Sequence, residues 1–455
     1  MLFAKHICPA GPRAGLRKAG HATKKGGIAS ACRCKYTNNQ TYCIPEIDTM
    51  SIVRYSLMAA AVMSLAACGE KKTEVAAPEA SAPVASAPAP EKKAESDVIV
   101  IGHAGPLTGS IAHLGKDNEY GVKMAIDEIN EAGGVDIGGK KMKIEMVSED
   151  DQADPKVATT IAQRFVDKKV NGVIGHLNSG TTIPASKIYS EAGIAQISPS
   201  ATAVAYTAQG FKTAFRVMAN DAQQGKVLGE YAVKKLGAKK VAIVDDRTAY
   251  GQGLADQFEA AAKAAGAEVV KREFTSNSET DFSSILTNIK GAKPDLVFFG
   301  GMDAQAAPMK KQLAKLGIKA KMMGGDGAQT PEFVKLSGAD AEGMVASIPG
   351  VPKEQMAGGK EFLEKFKAKN GVEVQLYAPF CYDAVMVMVD AMKRAGSTDP
   401  AKYLPELAKT EYKGVTGDIA FDEKGDIKNG AVTLYTVKGG KWEVLDVVGG
   451  AAAAK

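Results

Sequence analysis

From residue 97 to 449 the chain alternates short apolar runs with longer stretches whose apolar residues return every three or four positions. These are the marks of buried strands and amphipathic helices. DVIVIGHAG (97–105) predicts a buried strand, and Tyr120, Met124, Ile126 and Ile129 predict a helix over 119–132. KMKIEMVSED (141–150) alternates as a strand does, and Pro155 suits the first turn of the next helix, where a missing N–H costs nothing. VNGVIGH (170–176) and GIAQISP (193–199) continue the series. It then restarts with KKVAIVDD (239–246), a helix over 250–265, AEVVKREF (267–274), a helix over 282–290 and PDLVFFGG (294–301). Strands alternating with helices predict an α/β fold of parallel sheets covered on both faces. Two such doubly wound units in tandem predict two lobes with a crevice between them. Ligands bind such sheets beyond the carboxyl ends of the strands, so functional residues are expected in the loops just after these strands.

The segment before residue 97 follows a different pattern. From Met50 a short stretch with Arg54 leads into an apolar run of 12 residues, Ser56 to Ala67, and then Cys68. That run is shorter than the ~20 residues a membrane-spanning helix needs, so 50–67 is read as an export signal. Leu65-Ala66-Ala67-Cys68 resembles the lipobox of bacterial lipoproteins, which implies lipidation of Cys68. The alternative is an ordinary signal peptide with a chance cysteine. Residues 68–96 are rich in Ala, Pro, Ser, Lys and Glu and have no aromatic residue. They cannot bury enough apolar surface to order themselves and are expected to act as a tether. Residues 1–49 precede a complete export signal and are read as an upstream extension.

Composition narrows the function. The chain has 455 residues, 57 Lys and Arg against 52 Asp and Glu, and a formal charge of +5. Nine of the basic residues but only Glu46 and Asp48 fall before Cys68, so the excess of positive charge belongs to the leader. No Lys/Arg cluster follows residue 97, which argues against a nucleic-acid surface. Of six cysteines, Cys8, Cys32, Cys34 and Cys43 lie in the first 49 residues, leaving Cys68 and Cys381. A disulfide framework is thereby excluded, and Cys32 and Cys34 lack the second ligand pair a metal would need. No P-loop, G-x-S-x-G elbow or H-E-x-x-H motif is present, and the exported part holds only His103, His113 and His176. No catalytic site, cofactor or metal is expected.

Five loop segments are more specific. DDQADPKVA (150–158), VIGHLNSGTTIPAS (173–186), ISPSATAVAYT (197–207), VDDRTAYGQGLAD (244–256) and MMGGDGA (322–328) together resemble the periplasmic leucine/isoleucine/valine-binding proteins of ABC transporters, in the same order over about 350 residues. The resemblance implies a type I periplasmic-binding-protein fold with a three-segment hinge near residues 219, 349 and 428. Lobe 1 would comprise 97–219 and 350–428, and lobe 2 would comprise 220–349 and 429–449. It further implies a monomer that captures an amino acid in the periplasm, passes it to the permease subunits of an ABC importer, and touches the membrane only through lipid on Cys68.

A free amino acid presents a carboxylate, an ammonium and a side chain, so its receptor needs anion donors, an acid and an apolar wall. Ser179 follows a strand and opens a helix whose N–H groups favour an anion, and it is the first candidate for the carboxylate. By resemblance, the Ser200 backbone and the Thr202 hydroxyl hold the α-amino and carboxylate groups. Ser179 and Thr202 also suit plain helix capping. Asp326, between Gly325 and Gly327, is expected to pair with the ammonium, where the family more often has Glu; the alternative is a turn residue. Tyr250 matches a family tyrosine that lies over the ligand, or else simply packs. Leu177, Asn178, Leu114, Met302 and Tyr377 are expected in the wall, with Leu114 and Met302 standing where the family commonly has aromatic rings. A methionine wall is adaptable in shape, which leaves another small amino acid open. The remaining rivals are an amide or urea binder, which would need no acid facing an ammonium, and a sensory receptor without a transporter.

Overall fold

The computed structural model describes residues 98–450 together with two short strands near the N-terminus, β1 (Cys32–Thr37) and β2 (Gln40–Pro45). The chain divides into two compact units, Met1–Glu91 and Lys92–Lys455. In the first, β1 and β2 pair antiparallel. The export signal, Cys68 and the tether lie outside the described residues.

The second unit begins with β3 (Val98–Gly105), α1 (Ala112–Glu131), β4 (Val135–Ile137), β5 (Lys140–Asp150) and α2 (Pro155–Asp167). It continues with β6 (Gly172–Gly175), α3 (Ser179–Glu191), β7 (Gln196–Ser198), α4 (Ala205–Ala208) and β8 (Ala214–Arg216). These strands form one sheet in the order β4-β5-β3-β6-β7-β8, parallel except for the β4–β5 pair. In β3 the alternation of a two-sided buried strand is visible. Ile99 and Ile101 pack in the layer that holds Val122 and Ala125 of α1, whereas Ala104 packs with Phe165 of α2 and Tyr189 of α3 on the other face. Gly102 lies so close to the Phe165 ring that a Cβ there would stand 2.9 Å from it.

A second sheet follows. Its elements are α5 (Asp221–Lys234), β9 (Lys240–Asp245), α6 (Ala249–Ala264), β10 (Glu268–Phe274), α7 (Ser283–Ala292), β11 (Leu296–Gly300), α8 (Asp303–Lys315), β12 (Lys321–Gly324), α9 (Pro331–Ser337) and β13 (Val345–Ile348). The chain then returns to the first sheet with α10 (Gly359–Asn370), α11 (Ala378–Ala395) and α12 (Pro400–Leu407), since α11 packs along α1. A small antiparallel pair, β14 (Glu411–Lys413) and β15 (Asp418–Ala420), precedes the last crossing into β16 (Ala431–Lys438) and β17 (Lys441–Gly449). The second sheet runs β10-β9-β11-β12-β13-β16-β17, with β16 and β17 antiparallel. Val241 and Ile243 of β9 face Leu254 and Phe258 of α6, while Ala242 and Val244 face Leu286 of α7 and Met309 of α8. Two doubly wound α/β lobes joined by three crossings result, as the strand pattern and the resemblance implied.

One helix departs from the expected pattern. α1 begins at Ala112, a full two turns before the residue 119 that its apolar spacing suggests. The part before residue 119 carries Gly115, Asp117 and Asn118, which give no apolar helical repeat, yet all three are buried. Gly115 lies against the Pro106 carbonyl and Gly121 against the backbone of Ala378. The Asp117 carboxylate accepts the backbone N–H groups of Gln375, Leu376, Tyr377 and Ala378 at 2.7 to 3.0 Å, satisfying the otherwise orphaned donors at the start of α11. Among the described residues no helix is long and apolar enough to cross a membrane.

Candidate functional site

The ends of β6, β7, β9, β11 and β12 meet the N-terminus of α11 in a narrow crevice bounded by Leu177, Asn178, Ser179, Ser200, Tyr250, Met302, Asp326 and Tyr377. The facing side chains leave room for about one water molecule. Thr202 and Leu114 are fully buried and do not bound this space.

Asp326 is the chemical centre of the crevice. It opens a short 3-10 turn after β12, and its neighbours must be glycine for steric reasons. A Cβ on Gly325 would stand 2.2 Å from Leu254 and one on Gly327 would stand 2.7 Å from the Met302 sulfur. The Asp326 carboxylate accepts three hydrogen bonds from neutral groups. The Tyr250 hydroxyl (2.8 Å) and the Gln224 amide (2.9 Å) donate to Oδ1, and the Tyr377 hydroxyl (2.6 Å) donates to Oδ2. Tyr250 also accepts the Gly327 N–H at 2.9 Å, so it clamps the turn from both sides. Asp326 is 1% exposed and has no Lys, Arg or His partner among the described residues. Burial pushes its carboxyl above the ordinary value, although the hydrogen bonds oppose this.

The opposite wall is built from backbone and small hydroxyls. Asn178 is the N-cap of α3 but makes no side-chain capping bond. Ser179 Oγ accepts the Ala203 N–H at 3.2 Å, tying the loop after β6 to the loop after β7. Ser200 Oγ donates to the Leu177 carbonyl (3.2 Å) and accepts from the Asn118 amide (3.1 Å). Neither Ser179 nor Thr202 caps a helix; the Thr202 hydroxyl faces the carboxylate of Asp221.

Both loops are held from behind by buried polar contacts. His176 Nδ1 lies 2.8 Å from Asp151 Oδ2 and Nε2 lies 3.0 Å from the Tyr189 hydroxyl, all without solvent contact. The His176 carbonyl accepts from the hydroxyls of Thr182 in α3 and Ser198 at the end of β7. Arg216 donates through Nη1 to the carbonyls of Ala201 and Ala203 (2.8 and 2.9 Å), which flank Thr202, and pairs with Asp426.

Sequence reasoning missed Asp221 and Gln224. They lie one turn apart at the start of α5, immediately after the chain leaves the first sheet. Gln224 donates to Asp326 and also accepts from Ser347 of β13 at 2.7 Å. The only sequence signal is Asn220, whose side chain caps this helix by accepting from the N–H groups of Ala222 and Gln223. Asp303 at the start of α8 was missed too; it contacts His113 of α1 and Thr330. Among the described residues no group of three or more His, Cys, Asp or Glu is placed to hold a metal ion.

A crevice between two α/β lobes, with one uncompensated acid on one side and small donors on the other, suits a small zwitterion and contains no nucleophile–base pair. Known proteins give the family. The family profile described as "Periplasmic binding protein" matches residues 98–441. The Leu/Ile/Val-binding protein homolog 1 of Brucella abortus is 38% identical over 348 residues, covering 76% of this chain and 90% of that protein. A leucine-, isoleucine-, valine-, threonine- and alanine-binding protein of Pseudomonas aeruginosa is 35% identical over 340 residues, covering 75% and 90%. Among solved structures, the branched-chain amino acid transporter substrate-binding protein LivJ of Streptococcus pneumoniae, crystallised with isoleucine, superposes with a TM-score of 0.70 at 31% identity over 77% of this chain and 99% of that one. These relatives are named as binding proteins. The chain belongs to the periplasmic binding protein family, and it is a solute-binding protein of the type I, two-lobed arrangement.

Proposed function

We propose that the protein captures a branched-chain amino acid, leucine, isoleucine or valine, and delivers it to an ABC importer by closing its lobes around the ligand. The observation that carries this reading is Asp326, a fully buried carboxylate surrounded by neutral donors and lacking a cation. A buried charge without a counter-ion is costly, and an α-ammonium would supply the missing charge. The first turn of α3 with Ser179, and the Ser200–Thr202 loop, are assigned the ligand carboxylate and the remaining ammonium bonds. Leu177, Met302 and Tyr377 are assigned the side-chain wall, with Leu114 behind it. Residues 97–219 with 350–428, and 220–349 with 429–449, are taken as the two moving lobes, and the protein as a binder without catalysis.

A relative named for threonine and alanine as well as branched-chain residues supports a second reading, a broader preference for small amino acids. The unbranched, flexible side chain of Met302 would suit it. An amide or urea ligand leaves Asp326 without a partner and is not favoured. Lipidation of Cys68 in the periplasm, with 69–96 as a spacer, completes the proposal.

Calorimetric titration of the purified protein with the common amino acids, acetamide and urea tests it. Leucine, isoleucine and valine are expected to bind most tightly, with acetamide and urea silent. Failure of every amino acid to bind overturns the function. Loss of a palmitate label in Cys68→Ala, and stimulation of the partner transporter's ATPase by the loaded protein, test the anchor and the coupling.

A further inference from the structure

Behind the crevice, on the far side of Gln224 from Asp326, lies a second acid that the amino-acid reading does not use. Asp221 is fully buried at the first position of α5. Its Oδ1 lies 3.2 Å from Gln224 Nε2, the same nitrogen that lies 2.9 Å from Asp326 Oδ1. Two carboxylates therefore share one amide group, whose two hydrogens can serve one oxygen each. The other oxygen of Asp221 is left to the neighbouring Thr202 hydroxyl, with no further donor, and the Thr202 carbonyl accepts the Asp221 N–H at 2.8 Å.

The groups facing the pair do not neutralise it. Tyr250, Tyr377 and Gln224 are uncharged donors to Asp326. The nearest cation is Arg216, and its guanidinium is already engaged by Asp426, by the Thr207 hydroxyl and by the carbonyls of Ala201 and Ala203. Asp303, near Tyr377, adds a further acid. Two carboxylates that share one donor in a dry site, with the Arg216 guanidinium committed elsewhere, resist ionising together.

We propose that in the free protein Asp221 and Asp326 share one proton, and that the ligand's ammonium displaces it to solvent, so that capture of an amino acid is an exchange of one cation for another. The protonated pair and the incoming ammonium give an ionised pair bound to the ammonium plus one released proton, so charge and protons balance. Burial, reinforced by the charge of Asp326, pushes the Asp221 carboxyl up to about 7, and burial raises Asp326 as well. An ammonium beside the pair lowers both. The proton is therefore released at pH values below about 7 and above the lowered value of the complex. Over that window affinity rises with pH, by up to about tenfold per unit for one proton, and it levels off above it.

This inference rests on the amino-acid reading, and the test separates the two. Leucine is titrated into the protein calorimetrically near pH 6 in phosphate, MES and imidazole, whose ionisation enthalpies differ. The apparent enthalpy is expected to vary with the buffer with a slope close to one proton released, and the slope is expected to fall towards zero near pH 9. Asp221→Asn is expected to bind leucine with the slope abolished and with an affinity flat in pH. Leucine binding without buffer dependence in the unmutated protein overturns the exchange and leaves the function standing. An Asp221→Asn protein that still releases a full proton also overturns it. Absence of leucine binding removes the function and the exchange together. The buffer series on the unmutated protein decides the matter even if the variant does not fold.

Discussion

His113 of α1 reaches from the first lobe to Asp303 at the start of α8 in the second, with Nε2 2.7 Å from Oδ2. The carboxylate is fully buried and the imidazole side chain is 22% exposed. Together with the Tyr377–Asp326 bond it joins the lobes on either side of the crevice. Burial disfavours the charged imidazole, but the hydrogen bond to Asp303 and its charge outweigh that and hold His113 above its ordinary value. A raised histidine stabilises the joined state fully below its ordinary value near 6.5, and the contribution is lost as pH rises through the raised value. We expect His113→Ala to speed leucine dissociation several-fold at pH 6, for about 1 kcal/mol of hydrogen bond, and less at pH 9. Stopped-flow displacement at the two pH values checks this, and equal effects at both would contradict it.

Asp326→Asn separates stability from function. The substitution removes a buried charge that the free protein does not compensate, so its melting temperature is expected to hold or rise at neutral pH. Leucine affinity is expected to fall at least about 10²-fold, corresponding to roughly 3 kcal/mol or more for an ammonium left unpaired. Calorimetry and thermal melts with and without leucine measure both. Undiminished leucine binding would remove Asp326 from the site.

The buried Arg216–Asp426 pair, with Nη2 2.6 Å from Oδ1, ties the loop around Thr202 to the segment before the last crossing. Arg216→Ala strands Asp426 and frees two carbonyls. A loss of about 3 to 5 kcal/mol is expected in urea unfolding, while a loss under 1 kcal/mol would show that the pair is not held as described.

His103 in β3 is fully buried, with Nδ1 3.0 Å from the Ile174 carbonyl and Nε2 unpartnered. Burial lowers it to about 4. The fold keeps this ring neutral, so the associated stability is present above the ordinary value of 6.5 and is lost as pH falls from there to about 4. The loss is expected to approach roughly 3 kcal/mol. Comparing urea unfolding of the protein and of His103→Gln between pH 7 and pH 4 reads it, and identical pH slopes would refute it.

Gly121 of α1 packs against α11 so closely that a Cβ would stand 2.4 Å from the Ala378 carbonyl oxygen and 2.8 Å from its Cα. Backbone cannot yield as a side chain can. Gly121→Ala is expected to cost about 1 to 3 kcal/mol despite the better helix propensity of alanine, and because α11 carries Tyr377, to weaken leucine binding as well. A stabilised variant in urea unfolding would show that the helices can separate freely.

Local sequence was enough for the strands whose two faces are both buried. β3, β9 and β11 show continuous apolar runs because the sheets are covered on both sides, and Pro155 behind the Asp154 cap marks the start of α2. Asp326 was legible for the same local reason, since a Gly-Asp-Gly turn after a strand leaves an acid free of neighbouring side chains. The start of α1 was not legible, because Asp117 and Gly121 answer to the N-terminus of α11, with Tyr377 260 residues from Asp117.

What the sequence determined by itself is the alternation of strands and helices, their restart into a second unit, and the loops that could carry a ligand, because each depends on neighbours within a few turns of chain. Only the tertiary structure decided which polar groups those loops bring together. Asp221 and Gln224 read as the ordinary opening of a helix until the crossing between lobes sets them beside Asp326. His113 and Asp303, 190 positions apart, meet only where the two lobes face each other. Burial without a counter-ion, which gives Asp326 and Asp221 their chemistry, is a property of the assembled crevice and of no single segment.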